Sequence, residues 1–193
     1  YQAILKGITD VQLRTGRLEY VLKAVLMYDR KDENIGSYSG GMKQRIGIAH
    51  ILLNLPRILV VDEPTAGLDP RERIRFRNLL VELSRERIVI FSTHIIEDIS
   101  SSCNQVAVIN KGKLKYLGVP TDMVNLGEGF VWQFTLTPAE FERFPNKQMI
   151  TNHLREGEVI KVRAISKEQP VPDAVNVRAH LEDAYLCLLR DIA

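Results

Sequence analysis

Long apolar runs are absent from this sequence of 193 residues, and so are blocks of charge of one sign. No apolar stretch approaches the roughly 18 residues that a membrane-crossing helix requires. The first residues also lack the charged-then-apolar pattern of a secretory signal. We therefore expect neither a membrane span nor secretion.

Cysteine is scarce, and its placement argues against a metal site. Cys103 and Cys187 lie far apart, and neither belongs to a paired-cysteine pattern. Both are predicted to be reduced, as is usual in the cytosol. The 26 Lys and Arg residues oppose 24 Asp and Glu residues, a net charge of +2, so charge alone does not favour binding to nucleic acid or lipid.

Two short apolar runs, residues 58–61 and 88–91, are continuous rather than alternating. Runs of this kind are typical of strands that are buried on both faces of a parallel sheet. Between them, residues 71–86 carry apolar side chains at the spacing of an amphipathic helix: Phe76, Leu79, Leu80 and Leu83. The pattern predicts a βαβ unit and an α/β fold.

The flanking segments extend this prediction. Residues 41–53 and much of residues 1–28 have helical apolar spacing. Residues 105–109 and 113–117 predict a hairpin across an Asn-Lys-Gly turn, which we expect to form an antiparallel edge of the parallel sheet.

The pattern changes between Gly118 and Gly129, and we place a domain boundary there. Residues 1–126 form the predicted first domain, with a helical part over about 1–53 and a sheet core over about 54–126. Residues 127–193 predict a small α+β appendage, with strands at 131–137, 159–165 and 175–177 and helices at 138–144 and 180–192. A segment of this size is marginally stable alone.

The segment Tyr38-Ser39-Gly40-Gly41 precedes a predicted helix. Serine is a favoured N-cap, and two glycines allow a ligand to approach the free N–H groups of the helix end. Such an end suits a phosphate group. A plain serine cap followed by flexible glycines is the alternative interpretation.

Two acids, Asp62 and Glu63, directly follow the first buried strand. Ligands of doubly wound sheets bind at the carboxyl ends of the strands. Asp62 is a candidate ligand for Mg²⁺, which proteins hold with few carboxylates, and Glu63 is a candidate for orienting or deprotonating a water. A solvated acidic turn is the alternative.

His94 follows the second buried strand in the segment Ser92-Thr93-His94, so it is predicted to lie near the same edge of the sheet. Its imidazole is suited to hydrogen-bond a phosphate, although a lone histidine is more often structural. Asp69 begins a predicted helix before Pro70, and a capping role alone accounts for it.

In this order, the segments YSGGMKQR (38–45), ILVVDEP (58–64), AGLDP (66–70) and STH (92–94) resemble the ATP-binding-cassette (ABC) ATPases. The resemblance covers residues 1 to about 126. It implies that residues 38–42 are the signature motif, residues 58–62 the Walker B strand, and residues 66–69 the D-loop. It further implies that Asp62 holds Mg²⁺, that Glu63 is the catalytic glutamate, that His94 is the switch histidine, and that Ser39, Gly40, Gly41 and Asp69 serve ATP binding.

Two departures from the family pattern stand out. Met42 occupies a position where the family signature usually has Gln, and no G-x-x-x-x-G-K-[ST] phosphate loop occurs in the sequence. The resemblance therefore predicts a C-terminal fragment of a longer chain, which agrees with Tyr at position 1. We expect this fragment to be inactive alone.

The resemblance implies an ATP-hydrolysing subunit that drives an ABC transporter, with ATP and Mg²⁺ as cofactors. The expected partners are membrane-spanning subunits and a second ATP-binding subunit paired head to tail, and the expected location is the cytoplasmic face of the membrane. The end of the appendage, residues 181–186, is similar to extensions of exporter-type subunits, which suggests regulation or dimer stabilisation; merely capping the sheet is the alternative. Two alternatives stay open. The chain could be a non-enzymatic interaction fragment or, less favoured, a nucleic-acid-associated ABC-type ATPase. We expect no nucleic-acid partner.

Overall fold

The structure is a computed structural model that describes residues 1–192. Its contacts divide the chain into two compact units, Tyr1–Asp98 and Ile99–Ala193. Ala193, the last residue of the predicted appendage, lies outside the described residues.

The first unit contains four α-helices and two strands before the unit boundary, and two short 3-10 helices at Tyr28–Arg30 and Ile35–Ser37. The α-helices and strands are α1 (Gln2–Leu5), α2 (Val11–Ala24), α3 (Gly40–Leu52), β1 (Ile58–Asp62), α4 (Pro70–Leu83) and β2 (Ile88–Ser92). A fifth α-helix, α5 (Ile96–Ser102), spans the boundary. Strands β1 and β2 pair in parallel, with Ile58 opposite Ile88 and Asp62 opposite Ser92. The predicted βαβ unit is therefore confirmed.

Only one face of the β1–β2 sheet is buried. Leu59 belongs to the core that α2, α3 and α4 share, and Val61, Val89 and Phe91 pack against that core. The alternate side chains are exposed: Ile58, Val60, Ile88 and Ile90. The expectation of burial on both faces is wrong for the residues that the structure describes, because the helices of this unit cover one face only.

In its described residues, the second unit contains a hairpin, a four-stranded sheet and, after α5, three α-helices and a short 3-10 helix at Lys147–Met149. Its elements after α5 are β3 (Val106–Asn110), β4 (Lys113–Gly118), α6 (Pro120–Asn125), β5 (Val131–Leu136), α7 (Pro138–Arg143), β6 (Ile150–Glu156), β7 (Val159–Ile165), β8 (Val175–Asn176) and α8 (Leu181–Leu189). The larger sheet has the order β6-β7-β5-β8, and all its neighbours are antiparallel.

The hairpin forms as predicted, but its place in the fold differs. Strands β3 and β4 pair with each other in a two-stranded sheet of their own. Among the described residues β3 pairs with β4 alone, so the expectation that the hairpin forms an antiparallel edge of the parallel sheet is wrong there.

The division between the units falls after Asp98 and is distinct from the domain boundary predicted near residue 127, which stays a prediction. Helix α6 packs against α8, and a Cβ atom at Gly127 would lie 3.0 Å from the Cβ of Ala179 and 3.3 Å from the backbone of Ala184. An ion pair also joins Lys115 of β4 to Asp191. The hairpin and α6 therefore group with the following residues.

Candidate functional site

The carboxyl ends of β1 and β2 bring together an acid and a hydroxyl. Asp62 and Ser92 are the last residues of their strands and lie opposite each other in the parallel register. The Ser92 hydroxyl donates a hydrogen bond to Oδ1 of Asp62. Both side chains are exposed, so this oxygen pair is accessible at the edge of the sheet.

The next residue, Glu63, turns sharply away from the strand. Its φ of +46° lies in the left-handed region, which is uncommon for a residue with a side chain. Its N–H donates to the carbonyl oxygen and to the hydroxyl of Ser92, each at 3.1 Å. The neighbouring strand therefore holds Glu63 in this conformation.

Glu63 and His94 form a direct pair across the two loops. Nδ1 of His94 lies 2.9 Å from Oε1 and 2.7 Å from Oε2 of Glu63. When Nδ1 carries the proton of this hydrogen bond, Nε2 of the neutral ring is only an acceptor, and it becomes a donor when the ring is charged. The pair thus combines a carboxylate that can accept a hydrogen bond from water with a ring whose Nε2 donates to an anion when the ring is charged.

The structure places the three residues of the predicted phosphate-binding segment at the start of α3. Ser39 is the N-cap, and its hydroxyl accepts from the N–H of Met42 at 3.3 Å. A Cβ atom at Gly40 would meet no other atom within 4 Å, whereas one at Gly41 would lie 2.9 Å from Oε2 of Glu72. Gly40 therefore borders open space, whereas a side chain at position 41 would meet the carboxylate of Glu72 on α4.

Asp69 has the capping role that the sequence suggested. It is the N-cap of α4, and its Oδ1 accepts from the N–H of Glu72 at 2.9 Å. Glu72 in turn binds Arg45 of α3 at 2.7 Å. Asp69 thus fixes the start of the helix against which α3 packs.

The candidate residues therefore form two groups within the described part of the chain. One group contains Asp62, Glu63 and His94 together with Ser92, and the other contains the start of α3 and Asp69. Nε2 of Gln44 donates to the carbonyl of Ala66 at 3.3 Å, which ties α3 to the loop that follows Glu63. No hydrogen bond or ion pair in the described residues joins the two groups directly.

Sequence reasoning missed one member of the first group, Ser92, and one buried residue behind it, Asp98, whose Oδ2 accepts a hydrogen bond from the Thr65 hydroxyl. The STH segment alone indicates no role for Ser92, whereas the register of the parallel strands puts it beside Asp62. Asp98 was not singled out at all, because one acid in a short helix gives no signal of its contacts.

Oxygen donors at the strand ends suit a hard cation. A carboxylate from Asp62 and a hydroxyl from Ser92 are the kinds of ligand that Mg²⁺ takes. The described residues contain no group of three or more His, Cys, Asp or Glu side chains able to hold a metal. Water and phosphate oxygens would therefore complete such a site, as is usual for Mg²⁺.

Comparisons with known proteins agree with the motif order. Residues 8–66 match the family model described as "ABC transporter". The chain is 39% identical over 98 residues to the "Uncharacterized ABC transporter ATP-binding protein YxlF" of Bacillus subtilis, which covers 51% of this chain and 33% of that protein. It is 32% identical over 157 residues to the "Methionine import ATP-binding protein MetN" of Histophilus somni. That alignment covers 71% of this chain and 46% of MetN.

The fold has a match among solved structures. CbiO1 from Clostridium perfringens, described as "Part of the ABC transporter complex cbiONQ", superposes with a TM-score of 0.58 at 30% identity, covering 63% of this chain and 50% of that one. The chain spans one third to one half of the length of these relatives. Within the part that the structure describes, no helix is long and apolar enough to cross a bilayer. The motifs, the βαβ unit and these likenesses together make this chain similar to part of the ATP-binding-cassette domain of ABC transporter ATP-binding proteins.

Proposed function

We propose that this chain contributes to the ATP-hydrolysing subunit of an ABC transporter. The observation that carries the proposal is the pairing of Glu63 with His94 beside Asp62 and Ser92 at the carboxyl ends of two parallel strands. This edge is where open α/β sheets bind their ligands.

The proposed chemistry is phosphoryl transfer to water, in which positioning and charge neutralisation provide most of the catalysis. Glu63 accepts a hydrogen bond from the attacking water and takes up its proton. His94 keeps the Glu63 carboxylate in place through Nδ1, and its Nε2 donates to a phosphate oxygen when the ring is charged.

Asp62 and the Ser92 hydroxyl would hold Mg²⁺ in this proposal. When bound, the ion neutralises charge on the phosphate oxygens. The sequence contains no phosphate loop, so the proposal requires that another polypeptide segment surround the β- and γ-phosphates. The ATP site is then shared.

Ser39, Gly40 and Gly41 would serve the site of a second ATP-binding subunit in a head-to-tail pair. The free N–H groups at the start of α3 provide the positive end of a helix dipole, and Gly40 borders open space through which a phosphate can approach. Asp69 supports this surface through α4. The proposed role of Asp69 is therefore indirect.

The proposed partners also include membrane-spanning subunits, and the proposed location is the cytoplasmic face of the membrane. CbiO1 supports the partner proposal, because it is described as part of a transporter complex. We further propose that residues 127–193 regulate the ATPase or stabilise its dimer.

A phosphate-release assay on a mixture tests the proposed activity. The chain is mixed with a separate segment of an ABC ATP-binding subunit that carries the phosphate loop but no acids equivalent to Asp62 and Glu63, and release is compared with that of each component alone. We expect no release from the chain alone and extra release from the mixture. The Glu63→Gln variant should reduce that extra release about 10²-fold or more, the usual contribution of a general base.

The control is Glu82→Gln, which neutralises an exposed acid of α4 whose ion pair is with Arg85 of the same segment. It should leave the extra release unchanged. Extra release that persists with Glu63→Gln would contradict the catalytic role of Glu63. Release by the chain alone, abolished by Glu63→Gln, would contradict the shared site.

A further inference from the structure

We propose that Asp98 is a positioning residue that fixes the Glu63 and His94 loops relative to each other. The inference rests on the proposed function in one respect, namely that Glu63 and His94 are the reacting pair. Asp98 itself contacts neither of them in the described structure.

The Asp98 side chain is fully buried, with 0% exposure, and three side chains donate to it. Its Oδ2 accepts from the hydroxyl of Thr65 and, at 3.5 Å, from the hydroxyl of Thr93. Its Oδ1 lies 3.4 Å from Nη1 of Arg77. A buried carboxylate requires such donors.

The two threonines belong to the two loops of the site. Thr65 follows Glu63 by two residues and is itself buried, and Thr93 directly precedes His94. One carboxylate oxygen therefore receives a hydrogen bond from each loop. Thr93 also accepts from the N–H of Ile95 at 2.9 Å, so its hydroxyl fixes the turn that carries His94.

The backbone of Glu63 explains why this connection matters. A left-handed conformation at a residue with a side chain is unfavourable and persists only where surrounding contacts impose it. Ser92 provides contacts before the turn, and Thr65 bound to Asp98 provides one after it. Without Asp98, the second anchor is lost, and the Glu63 carboxylate is no longer held opposite Nδ1 of His94.

Arg77 brings a third element to the same carboxylate. It lies on α4, and its Nη1 also donates to the carbonyl of Glu97 at 3.2 Å. Asp98 thus connects α4 with both loops. This arrangement predicts that Asp98 controls the geometry of the reacting pair and not only the stability of the unit.

The test measures the Glu63–His94 contact directly in the full chain, without nucleotide. The chain is labelled with ¹⁵N-histidine, and the His94 ring resonances are assigned by their loss in His94→Gln. The Glu63→Gln substitution is then introduced into each background, and the change in the Nδ1 resonance is recorded at one pH.

We expect Glu63→Gln to shift the Nδ1 resonance in the native background and this shift to be lost in Asp98→Ala. Asp98→Asn, which keeps an acceptor oxygen, should restore it in part. Asp183→Ala is the matched control, because it removes a buried ion-paired carboxylate from the other unit. The shift should persist there.

A second variant covers the case in which Asp98→Ala does not fold. The pair Thr65→Val and Thr93→Val removes both hydroxyl donors but keeps Asp98 and Arg77, and it should also abolish the shift. A full shift in folded Asp98→Ala, or in the double valine variant, would overturn the proposal. This test uses no nucleotide, so its failure can be distinguished from failure of the proposed function. If Glu63→Gln shifts the His94 Nδ1 resonance as expected but the chain supports no phosphate release, only the proposed function is refuted.

Discussion

Substitution of Gly41 tests how tightly α3 is packed against α4. A methyl group at Gly41 would lie 2.9 Å from Oε2 of Glu72 and 3.5 Å from its Cβ and Cγ. The carboxylate has little freedom to move, because Arg45 and Arg75 each bind it at 2.7 Å. The Arg45 side chain is only 9% exposed, so water cannot easily replace a lost partner.

The magnitude follows from two opposing contributions. Alanine in place of glycine in a helix is worth roughly 0.5–1 kcal/mol. Loss of a hydrogen bond to a charged group costs roughly 1.5–3 kcal/mol. Gly41→Ala should therefore lower the free energy of unfolding by about 1–2 kcal/mol, whereas Gly40→Ala, which meets no atom within 4 Å, should change it by less than about 1 kcal/mol.

Urea unfolding followed by circular dichroism gives both values, and hydrogen exchange of α3 and α4 localises the effect. The decisive comparison uses Glu72→Ala as the background. There the methyl group has no carboxylate to displace, so Gly41→Ala should become neutral or stabilising. An equal loss of stability in both backgrounds would refute the reasoning.

Three further predictions concern the second unit. Asp183→Ala should lower the free energy of unfolding of this unit by about 3–5 kcal/mol, because it leaves Arg163 without the carboxylate 2.7 Å away. Urea unfolding followed by tryptophan fluorescence measures the loss, and an unchanged midpoint would contradict the prediction. Burial raises the pKa of the Cys187 thiol and so lowers its fraction of reactive thiolate. Iodoacetamide should therefore label Cys103 before Cys187, and equal labelling rates of the two cysteines in mass spectrometry would contradict this. Hydrogen bonds accepted at the start of α7 hold the pKa of Glu140 below its ordinary value of 4.5. The stabilisation that results is present above pH 4.5 and is lost as the pH falls through the lowered pKa. The free energy of unfolding of Glu140→Gln, measured against pH, should therefore lack this decrease in acid.

The sequence was sufficient to predict the elements that carry the candidate site. Continuous apolar runs predicted β1 and β2, the spacing of Phe76 to Leu83 predicted α4, and the acids after the first run were placed at a strand end. These signals are local, because each depends on side-chain type and spacing within one segment. Helix caps were also predictable, since Ser39 and Asp69 are residues that favour that position.

The features that the sequence did not predict depend on contacts between distant segments. Strand β6 lacks a continuous apolar or alternating pattern, and it forms because the turn at Gly157, with φ of +63°, pairs it with β7. The exposed face of β1 and β2 was not predicted, because a run of four apolar residues does not show which faces are covered. The role of Asp98 depends on Thr65, which lies 33 residues away.

The central claim is that this chain supplies part of a shared ATP site, and calorimetry tests it most directly. Mg-ATP is titrated into the chain alone, into an intact ABC ATP-binding subunit alone, and into their mixture. Gly40→Asp places a carboxylate at the free start of α3, where an acid suits the helix but opposes a phosphate, and Gly40→Ala is its control. We predict no binding by the chain alone and tighter binding by the mixture than by the intact subunit, lost with Gly40→Asp and kept with Gly40→Ala. Tight binding by the chain alone, or a mixture that binds no better than the intact subunit, would contradict the account.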